Sequence, residues 1–66
     1  MNLTVNGTPH EHNGKASVQA LLDEMHIDRG RVAVMVNDKV ISRQKFSSAE
    51  LSEDDRVEIL TFAGGG

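Results

Sequence analysis

The 66-residue chain closes on Gly64, Gly65 and Gly66. Three residues without side chains add nothing to a core. Fully extended, however, they reach roughly 10 Å, and a bare backbone can pass close to a catalytic site. The group they end on is a free carboxylate, a poor electrophile until it is activated. ATP activates it: the carboxylate attacks the α-phosphate, pyrophosphate leaves, and a sulfur or nitrogen nucleophile then displaces AMP from the acyl adenylate. On this reading the chain is a macromolecular substrate whose activating enzyme is a separate protein. The bland alternative is an incidental, frayed end.

Other reactive side chains are sparse. His10-Glu11-His12 places two imidazoles on one side of a strand, a possible pair of metal ligands. A working site wants three or four donors, and none is evident beside them in sequence. They are therefore read as solvated edge-strand histidines, with no metal expected. His26, near a helix C-terminus, suits the last carbonyls. Asp23-Glu24, Glu50 and Glu53-Asp54-Asp55 are read as solvated faces and turns, since so small a domain encloses no pocket for paired carboxylates. There is no cysteine, hence no disulfide and no thiolate chemistry. No Gly-rich loop opens a helix, so ATP is expected to be used by a partner and no cofactor to be bound. A net charge of −3 and two aromatics argue against nucleic acid and suit a partner with a basic surface. No apolar run approaches a membrane span, and the first ten residues lack a signal peptide's basic and apolar regions. The expected compartment is the cytoplasm.

The elements follow from periodicity. Leu3 and Val5 alternate into Asn6-Gly7, a hairpin signal, and Pro9 assigns the second strand (about 9–12) to an edge. Val18, Leu21, Leu22 and Met25 share one helical face; Ser17 is a good N-cap and Gly30 a stop. Residues 32–36 form a buried β-branched strand, with Met35 read as core, turning at Asn37-Asp38 into Val40 and Ile41. Residues 43–51 are an ambiguous connection pinned by Phe46 and Leu51. The acidic stretch 52–55 then enters the last strand, 56–62. Antiparallel neighbours join by tight turns, whereas parallel ones need a long crossover. The economical arrangement sets the first and last strands side by side and parallel, covered by the helix. The fold class is α+β, a β-grasp (ubiquitin-like) domain: a mixed sheet of four or five strands with one main helix on one face. Residues 1–62 form the domain and 63–66 a flexible tail. In the last strand Val57 and Ile59 face the helix. Leu60 and Phe62 then lie on the open face, a candidate partner-docking patch.

Over essentially its whole length the chain resembles the ThiS family, the sulfur carrier proteins of thiamine biosynthesis. The residues that carry the likeness are "VNG" at 5–7, "VQALL", "VAVMVN", "LSEDDRVEILTF" and the terminal "GGG". Where the family often has Gly after the "VAVMVN" strand, this chain has Asp38, a residue that also suits a turn. The resemblance implies that Gly66 is adenylated by an E1-like (ThiF-like) adenylyltransferase and converted to a thiocarboxylate, commonly with sulfur from a cysteine desulfurase. A ThiG-like thiazole synthase then takes the sulfur. Gly64 and Gly65 would thread into the partners' active sites. The chain would be a monomeric protein co-substrate rather than an enzyme. The readings that compete are the small subunit of molybdopterin synthase, which shares fold and tail, a ubiquitin-like modifier, and a plain binding module.

Overall fold

The structure, a computed structural model, describes residues 1–62; the tail 63–66, and with it Gly64, Gly65 and Gly66, lies outside the described residues. Five strands form one mixed sheet: β1 (Asn2–Val5), β2 (Thr8–Glu11), β3 (Val32–Val36), β4 (Lys39–Ile41) and β5 (Arg56–Thr61), in the order β2-β1-β5-β3-β4. Strands β1 and β5 are parallel, with Thr4 opposite Arg56 and Val5 opposite Val57. Every other pairing is antiparallel. Helix α1 (Val18–Glu24) makes the crossover. This is the β-grasp architecture, and Pro9 does sit on an edge strand.

Both hairpins turn on residues that accept positive φ. Asn6 and Gly7 have φ of 50° and 80°, Asn37 and Asp38 of 51° and 70°, the combination that matches the twist of two-residue hairpins. Each turn asparagine also grips β5. The Asn6 side chain accepts from the Ile59 N–H at 2.8 Å and donates to the Ile59 carbonyl at 3.2 Å, extending the β1 ladder by one residue beyond the strand. Asn37 accepts from the Arg56 N–H and donates to Asp55, each at 2.9 Å. The central strand is thus held at its start and at its middle by side chains of the two turns.

The core is aliphatic apart from Phe46. Leu3, Val5, Val32, Val34, Val57 and Ile59 from the sheet meet Val18, Leu21 and Leu22 from the helix, with Phe46 and Leu51 closing the end. The 43–51 connection begins with a 3-10 turn at Arg43–Lys45, which seats Phe46 beneath α1; the Phe46 carbonyl accepts from the Gln19 N–H at 2.9 Å.

Two sequence expectations are corrected. Gly30 does not stop the helix; it falls in a later 3-10 turn. The stop is His26 at φ 59°, where the His26 N–H reaches the Asp23 carbonyl and the Ile27 N–H the Leu22 carbonyl. These are the two bonds of a Schellman ending, built here without glycine. Met35 is not core. It lies opposite Glu58 on β5 and Val40 on β4, half-buried on the open face, while Val32 and Val34 face the helix.

Candidate functional site

The described part of the last strand ends at Phe62, which with Leu60 lies on the open face of the sheet. Alternation along β5 turns Val57 and Ile59 inward and leaves Leu60 and Phe62 57% and 56% exposed, as the sequence predicts. A third apolar side chain that the sequence reading passed over joins them: Val40, 74% exposed on edge strand β4. Only the pairing reveals it: Val40 lies opposite Met35, and Met35 opposite Glu58, on the solvent face. Ala33, opposite Leu60, lies between them. Ala33, Val40, Ile41, Arg43, Phe46 and Phe62 line a shallow, open hollow at this end of the sheet. Lone exposed apolar residues need no explanation; here Val40 and Phe62 border one hollow, and Leu60 lies on the same face of β5 outside its lining.

A cationic rim borders the hollow. Arg29 donates to the Arg43 carbonyl at 2.7 Å and Arg43 Nε to the Arg29 carbonyl at 3.1 Å, clasping the two 3-10 turns together. The Arg29 guanidinium also stands 5.7 Å from the centroid of the Phe46 ring. Phe62 is fixed by its N–H to the Arg31 carbonyl at 2.9 Å. The chain carries a net −3, yet this end is locally basic.

Away from this face, on the helix side of β2, the structure gathers a second cluster. The prediction of solvated histidines is wrong for His12, which is only 2% exposed, and Glu24 is no free surface carboxylate. His10 Nε2 and His12 Nδ1 both reach Glu24 Oε1, each at 2.9 Å. Oε2 of the same carboxylate accepts from the Asn13 N–H at 2.9 Å. His12 Nε2 lies 2.6 Å from the Lys15 carbonyl, which only accepts, so that nitrogen carries a proton. A carboxylate on the other ring nitrogen favours a second proton there, and with it the imidazolium form. Burial opposes that charge, but the bonds to Glu24 and the Lys15 carbonyl outweigh it and hold His12 above its ordinary value. The bonds from His12, His10 and Asn13 pull Glu24 down to about 2.

The remaining acidic residues act locally. Asp55 accepts from the Ser52 N–H and Glu53 from the Asn2 N–H, shaping the turn into β5. No helix among the described residues is long and apolar enough to cross a membrane.

A five-stranded mixed sheet with one helix packed on one face and an apolar hollow at the exit of its last strand defines a small ubiquitin-like β-grasp protein. Residues 3–66 match the ThiS family, and the chain belongs to that family. It is similar to the thiamine biosynthesis protein (ThiS) of Geobacter metallireducens, 38% identical, with all of both chains covered in the crystal structure at a TM-score of 0.83. It is also similar to thiazole synthases of Paramagnetospirillum magneticum (32% identical) and Magnetococcus marinus (35%), matching with all of its own length but spanning only 20% of theirs.

Proposed function

We propose that this chain is the sulfur carrier of a thiamine pathway, a protein co-substrate whose C-terminal Gly66 bears the transferred sulfur as a thiocarboxylate. The observation that carries this reading is that the family match runs through residue 66. It therefore includes the glycine end as well as the domain that presents it. The acid is activated as an adenylate by an E1-like (ThiF-like) enzyme using ATP. A sulfur nucleophile, with a cysteine desulfurase as the ultimate source, attacks the acyl carbon and expels AMP. The thiocarboxylate then delivers sulfur to a ThiG-like thiazole synthase. None of these steps asks the chain for a catalytic side chain, and its lack of cysteine is compatible with sulfur carried on the main chain.

The hollow bordered by Phe62 and Val40, with Leu60 on the same face of β5, docks these partners, orienting Gly64 and Gly65 to thread toward their active sites. In the two thiazole synthases a region similar to this chain is part of a protein named for the receiving enzyme. Joining carrier to acceptor in one chain turns delivery into an intramolecular event and raises effective concentration, which supports thiazole synthase as the receiving partner. The 38% identity to a thiamine biosynthesis protein favours this pathway over that of molybdopterin.

Incubation with the adenylyltransferase, ATP and a sulfur donor, followed by intact mass spectrometry, tests the proposal. The expected product is heavier by the difference between sulfur and oxygen, and a chain lacking Gly66 gives none. A ladder of conjugates to lysines of other proteins would replace this reading with that of a modifier.

A further inference from the structure

The geometry points to a divalent transition-metal site formed by His10, His12 and Glu24, of a chemistry suited to Zn²⁺. Three donors of the right kind converge: His10 Nε2, His12 Nδ1 and a Glu24 carboxylate oxygen all lie within 4.8 Å of one another. Two imidazoles and one carboxylate with a fourth position left open is a known zinc donor set. Around a tetrahedral ion with bonds of 2.0–2.1 Å, neighbouring donors stand about 3.3 Å apart. Here Nε2···Oε1 and Nδ1···Oε1 are each 2.9 Å, so seating an ion asks only a few tenths of an ångström of opening along those edges.

The outer groups are arranged as a metal site needs them. A ligating histidine usually donates its second ring N–H to a carbonyl or carboxylate, which fixes its rotation and tautomer. His12 does this through Nε2 to the Lys15 carbonyl, with its ring buried. The Asn13 N–H occupies Glu24 Oε2 and leaves Oε1 aimed at both imidazoles, as a monodentate ligand requires. Such outer contacts are what a lone pair of surface histidines lacks. Two ligands come from β2 and its continuation and the third from the last residue of α1, so an ion here cross-links the edge hairpin to the helix. The bond balance is simple: a metal–Nδ1 bond replaces the Nδ1–H bond of the imidazolium, and the proton leaves to solvent. Strand β2 is the sheet edge opposite β4, so a loaded site leaves the docking hollow clear. This inference does not depend on the sulfur-carrier reading.

Untagged, chelator-stripped protein titrated calorimetrically with Zn²⁺ near neutral pH is expected to bind one ion per chain with micromolar affinity. The His10 and His12 imidazole NMR signals should shift, and the melting temperature should rise. His10→Ala keeps the His12–Glu24 pair and therefore folds; it should weaken binding at least roughly 10-fold. His26→Ala, the third histidine, should bind as the wild type does. Absence of one-to-one binding overturns the inference. So does affinity that survives His10→Ala, or affinity that is lost in His26→Ala.

Discussion

His26 and the His12–Glu24 pair show how much single residues decide here. A left-handed conformation costs an ordinary residue roughly 1–2 kcal/mol, of which glycine's extra freedom when unfolded returns part. His26 is exposed and its backbone makes the helix-ending bonds. His26→Gly is therefore expected to stabilise the protein by about 0.5–1 kcal/mol, read as an upward shift of the urea midpoint at unchanged slope. The pair gives a pH signature in chelated buffer. His12 titrates higher when folded than its ordinary 6.5, so its contribution is complete below 6.5 and lost as pH rises through the folded value. Glu24 falls from 4.5 to about 2, so its contribution is present above 4.5 and lost as pH falls toward 2. Both act together between pH 4.5 and 6.5. The melting-temperature gap between wild type and Glu24→Gln should be widest in that window and narrow on both sides; a gap independent of pH would contradict the pairing.

Among the elements, β5 carries the most consequence, because it is the central strand and the one that precedes in sequence the glycines proposed to carry the sulfur. It is gripped on one side by β3 along five register pairs and on the other by only two from β1, supplemented by Asn6. Asn6→Gly keeps the turn's positive φ while removing both bonds to Ile59. It should cost about 1–2 kcal/mol, and amide exchange at Ile59 should accelerate ahead of Val34. Phe46 anchors the opposite end of the core. It is 1% exposed in a chain with one other aromatic residue, and Phe46→Ala should cost about 3–5 kcal/mol, a large share of a small domain's stability. A urea midpoint little changed by this substitution would place the Phe46 ring outside the core.

For the molecule as a whole, docking and stability separate. Leu60 and Phe62 project from a finished sheet, so Leu60→Asp and Phe62→Ser should leave stability within about ±0.5 kcal/mol. Adenylation should nevertheless slow through a raised KM for the carrier. A loss confined to kcat would argue that the patch does not dock the activating enzyme. Deleting Gly66 is expected to do the converse, abolishing thiocarboxylate formation with thermal stability unchanged. The basic rim of Arg29 and Arg43 sits on this end of an otherwise acidic molecule. Partner affinity should accordingly weaken with added salt, by charge screening at an exposed interface.

The alternation in residues 56–62, the helical spacing of Val18, Leu21, Leu22 and Met25, and the Asn6-Gly7 and Asn37-Asp38 turns made the elements, their faces and the β-grasp order legible in the chain. These are local signals: each depends on residues within one or two turns of one another. Folding alone settled what depends on distant segments meeting. Glu24 comes to His10 and His12 across 14 and 12 residues, drawing two apparently solvated side chains into one hydrogen-bonded cluster with His12 buried. Met35 and Val40 face outward because strand register, set by pairing with β5, fixes which parity points at the helix. Where charged residues mark one parity, as in β5, the sequence itself says which face is covered; in the uniformly apolar β3 only the pairing with its neighbours decides it.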